Sequence, residues 1–196
     1  LGDGMARLEF GYNSIGQLQD RVPTPDGLDA PGNLGTGRSA FVKGNLDLPL
    51  GELGIKGGRL SVEGLLQDTS VKDPYTNLSR RFSGFSDWAL DAGFRQDLGP
   101  FAWGFKFTAV PSITYYWREE IDRSGGTSAF VTGFAEYRFS PQTILTFGLD
   151  NIFDGRGTRD RIFYDGDRGE GTPTFTENRQ RNRHVQVYFT LKQSFQ

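Results

Sequence analysis

Apolar and polar residues alternate with a period of two along most of the chain. The pattern is clearest over 101–118, where Phe101, Trp103, Phe105, Phe107, Ala109, Pro111, Ile113, Tyr115 and Trp117 share one side. Ala102, Gly104, Lys106, Thr108, Val110, Ser112, Thr114, Tyr116 and Arg118 share the other. Successive strand side chains point to opposite faces, so this segment predicts one long strand with an apolar face and a mixed face. The final segment repeats the rhythm, with Val185, Val187, Phe189, Leu191 and Phe195 set against Gln186, Tyr188, Thr190, Lys192 and Ser194. Similar alternation over 6–13, 39–48, 59–69, 88–98, 129–139 and 145–150 brings the expected strands to eight. No segment shows the 3.6-residue period of an amphipathic helix.

The connections between these strands alternate in length. Short ones fall at 49–58, 99–100 and 140–143, and long ones at 14–38, 70–85, 119–126 and 154–182. In an up-and-down antiparallel sheet this puts every short turn at one end and every long loop at the other. Bacterial outer-membrane barrels have that asymmetry, with short periplasmic turns and long extracellular loops. A strand of eighteen residues also exceeds the roughly 5–6 residues usual in soluble sheets. The fourteen steps from Trp103 to Trp117, at ~3.3 Å each and tilted by ~40°, rise about 35 Å, roughly one bilayer. Trp88, Trp103, Tyr115 and Trp117 are the expected membrane-interface aromatics, since such rings bury an apolar body and keep a polar tip wet. The expected fold is therefore all-β, a transmembrane antiparallel up-and-down β-barrel or part of one. In water, the same outward aromatics would form a very large exposed apolar patch.

Composition sharpens this reading. The 196 residues carry a net charge of −2, without the basic excess of a nucleic-acid groove. There is no cysteine, which excludes disulfides and thiolate metal sites. Phe (17) and Gly (27) are abundant, while Met and His occur once each, a profile that suits a β-rich chain. No apolar run approaches the ~20 residues of a membrane helix, a condition that strands do not have to meet. The chain opens at Leu1 with neither a basic nor an apolar leader, so a removed signal or an internal start is expected.

Several local motifs then point to a family. Gly148-Leu149-Asp150-Asn151-Ile152-Phe153-Asp154 resembles the N-[LI]-F-D box in the penultimate strand of TonB-dependent receptors. The ending from Val187 to Phe195 resembles their last strand, whose terminal aromatic, here Phe195, is read by the barrel-assembly machinery. The run from Leu48 to Arg59 is similar to a periplasmic turn of alphaproteobacterial receptors, and Asp73-Pro74-Tyr75-Thr76 with Arg80-Arg81 to the loop that follows. The resemblance implies a 22-stranded barrel around a plug, of which this chain supplies about eight C-terminal strands and no plug domain. It implies residence in the outer membrane of a Gram-negative bacterium and energy-coupled uptake of an extracellular ligand. Iron–siderophore, cobalamin, sugar and peptide classes all remain open. The ligand binds loops and plug, TonB pulls the plug, and the ligand passes through the barrel. Implied partners are the rest of the barrel and plug, TonB through the missing N-terminal part, and lipopolysaccharide with outer-membrane lipid. No cofactor and no enzyme activity are implied.

His184 opens the last strand, yet no Ser–His–Asp arrangement is legible around it. The carboxylates of Asp165, Asp167 and Glu170 sit among turn glycines, but Arg168 and the spacing argue against a calcium loop and for a salt-bridged one. Arg156, Arg159, Arg161, Arg168, Arg179, Arg181 and Arg183 crowd one long connection, where they suit lipopolysaccharide phosphates, an anionic ligand or an internal network. Tyr116, Arg118, Asp150, Arg159 and Arg161 are the expected ligand-facing residues of lumen or loops. Lys106, Arg118, Glu136, Arg138 and Asp150 are expected to line a polar interior and pair there. The competing architecture is a free-standing eight-stranded barrel (a small porin, adhesin or structural protein), which requires 5–13 to pair with 183–195.

Overall fold

The computed structural model describes residues 3–195, apart from the side chains of 126–128. The protein is all-β. Eight strands form a meander in which every neighbour is antiparallel: β1 (Met5–Ile15), β4 (Gly37–Pro49), β5 (Gly58–Lys72), β7 (Trp88–Leu98), β8 (Phe101–Val110), β10 (Glu120–Ser140), β11 (Thr143–Asp150) and β14 (Gln186–Gln193). The intervening numbers belong to strands in the connections: β2 (Gln19–Pro23), β3 (Asp29–Asn33), β6 (Ser79–Arg80), β9 (Ile113–Tyr116), β12 (Arg156–Tyr164) and β13 (Pro173–Asn182).

Register joins the alternating residues into continuous rows. One row runs Leu48, Leu60, Phe94, Phe105, Gly133, Leu149 and Val187, and another runs Trp103, Ala135, Phe147 and Phe189. Phe94 stacks on Phe105 with centroids 5.5 Å apart, and Phe147 meets Phe189 at 5.1 Å. This apolar face has no second layer over it. Among the described residues, the buried apolar side chains are only Leu50, Val71, Phe82, Ala102 and Ala109. Phe10, Leu66, Phe189 and Leu191 are 64–72 % exposed.

The opposite face is polar and internally paired. Lys43 meets Glu63 at 2.8 Å, Lys106 meets Asp91 at 2.9 Å, and Arg95 joins Asp97 at 3.0 Å and Glu136 at 2.7 Å. Three of its aromatics lie across from a glycine: Phe41 from Gly11, Phe134 from Gly104, Tyr188 from Gly148. A Cβ at any of these glycines would run into that ring. An aromatic covering a cross-strand glycine restores packing that the glycine lacks. A cavity of about 670 Å³ lies on this face, with Asp47, Arg59, Glu63, Asp91, Arg95 and Lys106 in its lining.

The short turns share one end of the sheet. In the two-residue turn between β7 and β8, Gly99 has φ 64°, the positive value a first central residue needs in the hairpin turns that match strand twist. Gly57 has φ 66° and its carbonyl accepts from Asp97 N–H, so a side chain there would strike the end of β7.

Three sequence expectations change. The strand expected over 101–118 breaks at Pro111–Ser112 into β8 and β9, because proline brings no N–H to the ladder. The loop expected over 119–126 is mostly strand: β10 runs for 21 residues, and its first part pairs with β9 on one side and β12 on the other. The long connections 14–38 and 154–182 are built as the hairpins β2–β3 and β12–β13, so they are not structureless. The competing eight-stranded barrel also loses its requirement. β1 and β14 stand at opposite ends of the strand order and do not pair, so the sheet does not close on itself.

Candidate functional site: a cap of interlocked loops

The long connections meet at the end of the sheet away from the short turns, and they do so around buried charge. Asp73 follows β5, and its side chain is 1 % exposed. One carboxylate oxygen accepts the backbone N–H groups of Tyr75 (2.9 Å) and Thr76 (3.1 Å), an Asx turn that fixes the loop. The other accepts Arg80 Nε and Arg168 Nη2, both at 2.7 Å. Arg80 is also bonded to Asp20 of the first hairpin at 2.9 Å. Both guanidinium groups pack on the Tyr116 ring, at 4.6 and 5.5 Å from its centroid. The Arg168 Nε donates to the Trp117 carbonyl.

A second shell of bonds ties the same loops. Asp29 of β3 accepts the Tyr75 hydroxyl at 2.7 Å and the Arg118 backbone N–H at 2.9 Å. The Arg118 guanidinium pairs with Asp167. Arg21 lies over the Trp117 ring, 4.5 Å from its centroid. Four connections far apart in sequence thus share one polar core, and no buried side-chain polar atom among the described residues lacks a partner.

Electrostatics follow from this geometry. Burial pushes the Asp73 carboxyl up. The hydrogen bond from Arg168, the two backbone N–H groups and the Arg168 charge outweigh burial and hold it below the usual carboxylate range. Burial first, then the bond to Asp29, pushes the Tyr75 phenol well above its ordinary value, so it remains a donor.

The expected site residues separate into groups. Tyr116 and Arg118 lie in the cap, and so does Trp117. Tyr115 packs beside Gly84 of the second connection. Trp88 and Trp103 lie on the exposed apolar face, both 38 % exposed, and the Trp103 indole donates to Gln96 at 3.0 Å. Arg159 forms a bidentate pair with Asp122 (3.0 and 2.7 Å), and Arg161 bonds Glu177 (2.6 Å) and Glu120 (3.4 Å). These two therefore hold β12 to its neighbours. Asp150 lines a separate cavity at the start of β14. Phe195, just past β14, is 90 % exposed. His184 is 75 % exposed, with Asp154 3.9 Å from its Nδ1. Asp167, one of the carboxylates among the turn glycines, is committed to Arg118.

Asp20 and Asp29 carry no signal in the sequence, and Arg168 is legible only as one of a crowd of arginines. Arg168 and Asp73 are 95 positions apart, and nothing local in a sequence encodes such a pairing. Asp73, Tyr75 and Arg80 do carry a signal, as parts of one loop motif.

Asn151, just past β11, is 1 % exposed. Its Oδ1 accepts Gly155 N–H at 2.8 Å, and its Nδ2 donates to the carbonyls of Gly155 (3.2 Å) and His184 (3.3 Å). It clamps the entry of the last hairpin to the entry of β14. No family model, curated protein or solved structure matches the chain.

Proposed function

We propose that this chain is a wall segment of a large outer-membrane β-barrel of the TonB-dependent receptor kind, with its cap of loops turned to the outside. The reading rests on one observation above all. An apolar face eight strands wide is left uncovered by the protein's own chain, while the opposite face is charged and paired. Hydrocarbon on one side and a polar lumen on the other account for both faces. All the short turns at one end and all the built loops at the other match periplasmic and extracellular sides. On this reading the chain contributes wall, lumen surface and part of an outer ligand platform, and catalyses nothing. Energy coupling through TonB belongs to parts of the assembly outside these residues.

Trp103 reports directly on the membrane. In vesicles of brominated phosphatidylcholine its fluorescence and that of Trp88, on the same face, are expected to be strongly quenched, and replacing both with Phe should remove most of the quenched signal. A chain that stays in the aqueous phase without detergent, with unquenched tryptophan, overturns the proposal.

A further inference from the structure

The hairpin β12–β13 carries a row of arginines on one face, and their partners do not suffice for all of them. Register places Gly157 opposite Arg181, Arg159 opposite Arg179 and Arg161 opposite Glu177, so these positions share a face that Arg183 continues. Along this row Arg159 is held by Asp122, Arg161 by Glu120 and Glu177, and Arg179 by Glu177 at 2.6 Å. The side chains of Arg181 and Arg183 form no ion pair or hydrogen bond among the described residues. Both line one cavity of about 390 Å³, together with Phe130, Asp150, Asn151 and His184. That volume lies within the ~300–1,000 Å³ usual for small-molecule sites.

The cavity wall is held in place. Asn151 is buried and bonds the His184 carbonyl at 3.3 Å, which holds that residue in the left-handed region at φ 50°. A guanidinium presents paired N–H donors that match the oxygens of phosphate or carboxylate. Asp150 lies in the same lining and is likewise without an ion pair among the described residues. A bare polyanion would be repelled by it, whereas an anion with its own O–H or N–H donor satisfies it.

We propose that Arg181, Arg183 and His184, with Asp150 in the same lining, form a binding site for a small anion that carries a hydrogen-bond donor, a phosphate monoester or hydroxy acid in class. The cavity is made by β10, β11, the last hairpin and the start of β14, so the assignment holds whether or not the sheet lies in a membrane.

Inorganic phosphate, which bears both acceptor oxygens and an O–H at neutral pH, is a sufficient probe. Calorimetric titration of the folded protein in detergent is expected to show saturable binding. Arg181→Gln with Arg183→Gln should weaken binding at least about tenfold. Arg156→Gln should leave it unchanged, because Arg156 does not line the cavity and its guanidinium bonds Gln180 at 3.5 Å. Strand content by circular dichroism confirms that each variant is folded, and Arg181→Gln alone serves if the double variant is not. Two outcomes overturn the site: no phosphate binding by the unmodified protein, or equal weakening by Arg156→Gln, which marks a diffuse effect of surface charge.

Discussion

Asp73 is the residue on which the cap turns. Its carboxylate is the shared acceptor of Arg80 and Arg168, whose side chains are only 7 % and 4 % exposed. Removing one partner of a buried pair leaves uncompensated charge and costs about 3–5 kcal/mol. Asp73→Asn keeps the side-chain oxygen that serves the Asx turn but removes the charge. It is expected to raise amide hydrogen exchange across 73–80 and 165–171 while leaving β5 and β7 protected. Acid should act in the same direction. The carboxyl is depressed in the folded protein, so its contribution is complete above the unfolded value near 3.9. It is lost as pH falls through the folded value. Protection in the cap, measured against the intrinsic exchange rate at each pH, should therefore be full at neutral pH and fall only below about pH 4. Equal protection factors at pH 7 and pH 3 would remove Asp73 from this role.

At the level of strands, the glycines divide by what lies beside them. Gly148 faces the Tyr188 ring across the β11–β14 pair, and a methyl group there would collide with it. Gly64 lies mid-strand in β5 with nothing near the position its Cβ would take. Gly148→Ala should lower stability by about 1–3 kcal/mol through overpacking. Gly64→Ala should be neutral or stabilising by up to about 1 kcal/mol, because it restricts the unfolded chain. Urea unfolding of the two variants checks the sign of the difference. The same contrast shows what a sequence can disclose. Period two located all eight long strands, because an alternating face is a local property of the chain. The extension of β10 and the hairpin β12–β13 were missed, since arginines, aspartates and glycines dominate them and carry no apolar rhythm. Their strand structure comes from cross-strand ion pairs such as Arg159–Asp122, which form only after distant segments meet. The cap is half legible for the same reason: Tyr116 and Arg118 are expected ligand-facing residues and Arg168 stands in the arginine-rich connection, but neither Asp29 nor the Arg168–Asp73 pairing has a local signal.

For the whole molecule, the two free edges decide what kind of object this is. Among the described residues, β1 pairs only with β4, and β14 only with β11. In an antiparallel edge strand about half of the backbone N–H and C=O groups point outward without a partner. In water these groups are hydrated at little cost. In hydrocarbon each costs several kcal/mol, so two bare edges amount to a penalty on the order of tens of kcal/mol. Insertion of the apolar face does not offset this while a closed alternative exists, so a membrane home demands that further strands cover both edges. On the proposed reading they come from the rest of the barrel. Gentle extraction of the native protein should then yield an assembly heavier than this chain, and native mass spectrometry measures it. Cysteines placed in β1 and β14 should cross-link to those additional strands and not to each other. A β1–β14 cross-link within one chain, at the mass of this chain alone, would instead identify a small closed barrel and end the case for a larger receptor wall.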